Sequence, residues 1–339
     1  MENGGTRSVV SAAVALLVLV TSLFAKSNDD ALLEAARDGD VRAVSSLLQQ
    51  HAHLEAKDRK GFTPLLWAAC KGHVGVMRSL LDHGADVNAK ARDGWTVLMW
   101  TASRGQVAAS ELLVQRGADV DEETADGFTP LMIAAMSGQA ASVKALLAQK
   151  ADPNITARDG NTALVLASER GNAETVKLLI GAGADPSAKN EDGATPLIAA
   201  SVSGNAATAE LLLGNKVEMN VRDSVGMAPI HYAASLKHLE LLKLLLKHGA
   251  DASFLSGEEQ TPLMLAVDAG DAKAVQAIIK AGADVNFQNK DGQTALLIAQ
   301  AQKRTELIRI LKAAGAKEMT VPVTRVPGSR EAGARSQKK

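Results

Sequence analysis

Seven histidines, one cysteine and 38 acidic residues are the side chains in this 339-residue sequence that could hold a metal ion or move a proton. The histidines (His51, His53, His73, His83, His231, His238 and His248) are scattered. His51 and His53 stand two apart, a spacing that suits a loop better than a metal site. With Cys70 as the single cysteine, neither an intramolecular disulfide nor a cysteine zinc site can form. A lone thiol ordinarily packs as a small apolar group. No HExxH, GxSxG or P-loop pattern occurs, and Gly181-Ala-Gly183 matches only a fragment of a phosphate loop. Asn154-Ile155-Thr156 has the glycosylation pattern, which has meaning only in a eukaryotic secretory pathway. The expectation is a protein without catalytic residues, metal ligands or a cofactor, hence not an enzyme.

Composition narrows the class. Apolar residues make up 46% of the chain but aromatics only 3%, so any core is built from Ala, Leu, Val and Ile. Such side chains suit slim helices packed closely in repeated units. The net charge of −1 argues against a nucleic-acid binder, which needs clustered Lys and Arg to neutralise phosphates.

Between Arg7 and Lys26, residues Ser8–Ala25 carry no charge and read SVVSAAVALLVLVTSLFA. Residues 1–27 therefore read as a signal peptide or, since an apolar run of this length can just cross a bilayer, as an uncleaved membrane anchor. Cleavage after Ser27 would place Ala25 and Ser27 at the recognition positions, and cleavage after Ala25 is the other register. In both readings the body is exported, to the periplasm or the medium, or anchored with its bulk outside the cytoplasm.

The elements that would carry any surface are announced by a strict period. Gly61, Gly94, Gly127, Gly160, Gly193 and Gly226 recur at a constant step of 33; Glu259 takes the next place and Gly292 resumes the series. Two residues on stand Thr63, Thr96, Thr129, Thr162, Thr195, Thr261 and Thr294, with Ala228 as the exception. Threonine followed by proline, as in Thr63-Pro64, marks a helix N-cap and first turn. Gly72, Gly105, Gly138, Gly171, Gly204 and Gly270 end that helix, and a second carries paired leucines such as Leu80-Leu81, Leu146-Leu147 and Leu245-Leu246. Repeats of this length, each unable to bury its own apolar face, imply a stacked array.

The segments GFTPLLWAACKGH, GFTPLMIAAMSGQ and GATPLIAASVSGN, each followed by forms of LLDHGADVNAK, resemble ankyrin repeats over about Asp29–Lys317. With the apolar N-terminus, the whole resembles an exported ankyrin-repeat protein of bacterial type. The resemblance implies an all-α repeat solenoid of helix-turn-helix units linked by β-hairpin loops, about nine units including caps. The expected division is 1–27 export segment, 28–60 N-terminal capping repeat, 61–290 repeats, 291–317 C-terminal capping repeat and 318–339 disordered tail. Gln300, Lys303, Arg304 and Lys312 supply the polar face that a last unit needs. The family's usual histidine after Thr-Pro-Leu survives only at His231; Leu66, Met99, Met132, Val165, Ile198, Met264 and Leu297 replace it.

The family usually binds partners on a concave face made of hairpin tips and first helices. Carried onto this sequence, two places per repeat fall on that face, and they hold Phe62, Trp67, Trp95, Trp100 and Phe128 in three adjacent repeats, five of the nine aromatics in the chain. Lys71 and Arg104 lie on the same helices. These seven residues are the expected partner-binding surface, since Trp and Arg are enriched at hot spots; the competing reading has the rings packing hairpin against helix. The resemblance implies a monomeric, non-catalytic scaffold that binds another protein. The alternative is a membrane-tethered structural spacer or envelope-organising protein.

Overall fold

The computed structural model describes residues 28–318. The expected export segment, 1–27, and the tail from 319 onward lie outside these residues. Nine helix pairs follow one another. Their first helices are α1 (28–38), α3 (Pro64–Lys71), α5 (Val97–Ser103), α7 (Pro130–Met136), α9 (Ala163–Glu169), α11 (Pro196–Ser203), α13 (Pro229–Ser235), α15 (Pro262–Ala269) and α17 (Ala295–Ala301). The second helices are α2 (Val41–Gln49), α4 (Val74–Asp82), α6 (Val107–Gln115), α8 (Ala140–Ala148), α10 (Ala173–Gly181), α12 (Ala206–Leu213), α14 (Leu239–Lys247), α16 (Ala272–Lys280) and α18 (Thr305–Ala313). The described residues form two compact units that part between Ala233 and Ala234.

In the first unit, α3, α5, α7, α9 and α11 pack side by side in chain order, and α2 to α12 form a parallel row of second helices. In the second unit α15 packs on α17, and α14, α16 and α18 follow in sequence. Small residues make the close approach possible: Ala68, Ala69, Ala102, Ala134, Ala135 and Ala167 are fully buried on the first helices. Seven of the nine first helices start where the threonine predicts, and α13, after Ala228, starts without one. Thr63, Thr96, Thr129, Thr162 and Thr195 accept from the backbone N–H three residues on, at 3.2–3.3 Å, as do Thr261 and Thr294 in the second unit.

The leucine pairs pack less evenly than expected. Leu80, Leu146 and Leu245 are buried, whereas Leu81, Leu147 and Leu246 are half-buried, because a helix turns its next residue about 100° aside. Only one member of each pair can face the neighbouring helix.

The expected β-hairpins are another difference. Among the described residues no strand forms, and the only bridge pairs Lys90 with Thr96. Each connecting finger is closed by a tight turn instead. In the first, Asp58 N–H donates to Phe62 C=O and Gly61 N–H donates back to Asp58 C=O. The same two bonds recur at Ala91, Thr124, Ala157, Asn190, Asp223, Ser256 and Asn289. Gly160 shows why the turn wants glycine. Its φ is 75°, and a Cβ there would come within 2.8 Å of the Glu191 nitrogen on the next finger.

Neighbouring repeats are also laced by a side-chain ladder that climbs one repeat per rung. Glu55, Asn88, Asp121 and Asn154 accept from the backbone N–H of Asp86, Asp119, Asp152 and Asp185; Ser253 and Asn286 accept from Asp284 and Lys317. The Asn154 amide also donates to Gly183 C=O at 3.1 Å, so the nitrogen of the glycosylation pattern is bound within this ladder.

Candidate functional site

Four of the expected site residues touch ring to ring. Phe62, on the first finger, lies 4.9 Å from Trp67 of α3 and 5.3 Å from Trp100 of α5, centroid to centroid. Trp95, on the next finger, lies 4.8 Å from Trp100. The order Trp67–Phe62–Trp100–Trp95 is thus a continuous chain across two repeats, with tilted geometries in the range aromatic pairs prefer. The threonine caps and slim alanine helices bring it about by fixing each finger against its own helix and the next one.

Burial separates these residues. Phe62 is only 7% exposed, so it acts as the wedge between two indoles and offers a partner almost no surface. Trp67, Trp95 and Trp100 are half-buried, each keeping part of its ring in solvent. Phe128 is half-buried too but stands apart from the ring chain, with its N–H donating to the Thr124 hydroxyl. Lys71 and Arg104 are exposed.

The two helix indoles differ at their polar ends. Trp67 Nε1 donates to Asp58 Oδ2 at 3.2 Å, and the same carboxylate accepts from Lys60 N–H and Phe62 N–H. Tyr232 repeats this arrangement five units later, its hydroxyl donating to Asp223 at 2.6 Å. One repeat after Asp58 the equivalent residue is Ala91, and Trp100 Nε1 is buried without an acceptor. Asp93 takes over only the turn, accepting from Trp95 N–H.

Two guanidinium groups sit on the ring chain. Arg104 lies 5.9 Å above the Trp100 ring on its own helix and also donates to Cys70 Sγ of the preceding repeat at 3.6 Å. Arg37 of α1 lies 5.1 Å from the Trp67 ring. The repeat pattern did not single out Arg37, because it comes from the capping unit and occupies a different repeat place from Lys71 and Arg104. Its position becomes visible only once α1 is packed beside α3.

Titratable groups add little chemistry. In the first unit a cavity of about 470 Å³ is lined by Val165, Glu169, Asp192, Ile198, Asp223 and Tyr232 among others. Burial, followed by the bond to Asp223, pushes the Tyr232 phenol up, so that it remains a neutral donor. Glu55 and Asp121 have raised carboxyl pKa values, chiefly from burial, and both are ladder residues. Among the described residues no group of three His, Cys, Asp or Glu side chains could hold a metal ion, and no helix is long and apolar enough to cross a membrane.

The family model for ankyrin repeats in sets of three matches the chain over residues 10–91, 88–157, 142–223, 164–256 and 230–321. The chain belongs to the ankyrin-repeat family. Among solved structures, the crystal structure of the human ASB11 ankyrin repeat domain is similar, with a TM-score of 0.59 and 26% identity. That match covers 66% of this chain and 99% of the other. No curated protein matches. Ankyrin repeats serve generally as protein-interaction scaffolds, and the solenoid seen here is of that kind.

Proposed function

We propose that this ankyrin-repeat protein is a non-catalytic, monomeric scaffold that holds a protein partner against the fingers and first helices of its first three full repeats. The observation that carries the reading is the ring chain itself. Three half-buried tryptophans and Phe62 join ring to ring, with Arg37 over Trp67 and Arg104 over Trp100, in a chain with 3% aromatics. Partly exposed indoles combine a large apolar surface with a fixed orientation, which is the character of interface anchors. Lys71 and Phe128 border the same surface.

Selection of random displayed peptides on the full chain tests it. Peptides enriched on the wild type should lose binding to the variant Trp67→Ala/Trp100→Ala while its thermal unfolding changes little. Peptides that bind both proteins equally would sink the proposal. A large loss of thermal stability in the variant would show instead that the rings chiefly hold finger to helix.

We also propose that the array works outside the cytoplasm, periplasmic or secreted. The support is the uncharged Ser8–Ala25 segment between Arg7 and Lys26. Its length equally supports a membrane-tethered spacer with an uncleaved helix. N-terminal sequencing of the exported protein separates the two: a start near Lys26 or Asn28 supports the free scaffold, and a start at Met1 supports the tether.

A further inference from the structure

We infer that the partner segment seated on the ring chain is acidic and extended, with carboxylates spaced about three residues apart. The inference rests on the docking reading above and adds the chemistry of the occupant.

Three cations border the rings: Arg37, Lys71 and Arg104, all exposed. None forms an ion pair with a carboxylate among the described residues, where Lys and Arg ion pairs occur instead at Lys90–Glu122, Arg116–Asp82, Lys243–Glu240 and Lys312–Glu318. The two arginines are held by ring faces rather than by counter-charges. A guanidinium held in this way is already oriented, and most of its five N–H donors remain free. Arg104 spends one donor on Cys70 Sγ.

The acidic groups beside the rings are turned to internal work. Asp58 accepts from two finger amides and the Trp67 indole, and Asp93 accepts from Trp95 N–H. These carboxylates keep their charge, as does exposed Asp38, yet around the rings of the first two full repeats the cations outnumber them, whereas the third finger, with Glu123 and Asp126 exposed, is acidic. The exposed Arg59, Lys60 and Arg92 on the first two fingers are among these cations. A carboxylate-bearing partner fits these cations, and a basic one would be repelled.

Spacing follows from the stack. Packed helices lie about 8–10 Å apart, and a chain extended as polyproline II advances about 3.1 Å per residue with three residues per turn, so every third side chain returns to the same face. One carboxylate in three residues thus keeps step with one cation per repeat from α1 to α5. An apolar side chain between carboxylates lies where the exposed parts of Trp67 and Trp100 can receive it.

The test uses the full chain and two labelled peptides of about 13 residues, long enough to span three repeats. One carries glutamate at every third place with leucine and serine between, and the other carries lysine in each glutamate place. Fluorescence anisotropy at low salt should show the glutamate peptide binding at least about tenfold tighter, with the preference shrinking as salt rises. Arg37→Gln/Arg104→Gln should remove about tenfold of that affinity, and Lys71→Gln should weaken it with only a small change in thermal unfolding, since Lys71 is exposed without an ion pair and supplies only its charge at the end of α3. Equal binding of both peptides, tighter binding of the lysine peptide, or undiminished binding by the variants would overturn the inference. So would absence of binding by either peptide. If displayed peptides depend on Trp67 and Trp100 yet show no acidic excess, the acidic chemistry fails and the docking surface stands. If the glutamate peptide binds Trp67→Ala/Trp100→Ala as well as the wild type, the docking surface itself fails.

Discussion

Replacing Ala91 with aspartate should stabilise the protein, because it supplies the acceptor that Trp100 lacks. Asp58 and Asp223 show what the substituted residue would do. Each accepts the N–H four residues on and, nine residues on, the polar end of Trp67 or Tyr232. At Ala91 the finger has the same two backbone bonds, so the backbone is already shaped for the change. A buried donor left without a partner costs about 1–3 kcal/mol, and a hydrogen bond to a charged acceptor contributes about 1.5–3 kcal/mol. Half-burying a carboxylate offsets part of this, which leaves a net gain of about 1 kcal/mol. The total also includes the transfer of Trp95 N–H from Asp93 to the new carboxylate, so the indole's share must be isolated. A double-mutant cycle with Trp100→Phe does this, since phenylalanine keeps a ring but has no N–H. Urea unfolding of the four proteins should give a coupling of about 1.5 kcal/mol between the two sites, close to tenfold in equilibrium terms. A coupling below about 0.5 kcal/mol, within the scatter of independent sites, would refute the reasoning.

Three further outcomes are expected. Lys150 has a φ of 68° where most other repeats place glycine, as at Gly84, Gly117 and Gly183, so Lys150→Gly should raise the urea midpoint by relieving about 1–2 kcal/mol of left-handed strain against about 0.5–1 kcal/mol of glycine entropy; an unchanged or lower midpoint would contradict this. The Thr175 hydroxyl is fully buried without a partner, as are those of Ser142 and Thr208 at the same repeat place, and Thr175→Val should stabilise by about 1 kcal/mol in thermal unfolding. Asp121 has a raised carboxyl pKa from burial, with the Asp152 and Asp119 charges adding to it. The folded protein therefore holds this proton to higher pH than the unfolded chain does, and stability falls as pH rises from about 3.9 through the folded value. Asp121→Asn keeps an acceptor for Asp152 N–H, as Asn88 does for Asp119, so its advantage over wild type should be absent below about pH 3.9 and grow above it.

The sequence carried the repeat scaffold openly because backbone geometry recurs. Thr63 and its counterparts cap helices wherever they stand, and positive φ confines the turn positions largely to glycine. The fingers were harder to read. Asp-Gly turns announce a reversal, yet whether a strand ladder follows depends on how far the flanking chains continue side by side, and here they part after one turn. The aromatic surface was legible as a set of repeat places, but Phe62 was not legible as a wedge. Its burial arises from Trp100 in the next repeat, a contact too distant along the chain for any local pattern to contain. Arg37 was missed for the same reason, since its ring partner Trp67 also belongs to the following repeat. The orphaned Trp100 nitrogen needed both facts together, the indole in its place and the loss of aspartate at Ala91.

The ladder of side-chain acceptors bears on how such a chain can lengthen. Every segment of one full period that contains one rung brings an amide for the segment before it and an acceptor for the one after. A duplicated segment spliced in frame arrives with both halves of its seams already matched, whereas an insertion of any other size strands a donor on one side. Growth by whole modules thus leaves bonding at the joints intact, and the unbroken register from Gly61 to Gly226 is what repeated copying under that constraint would leave behind.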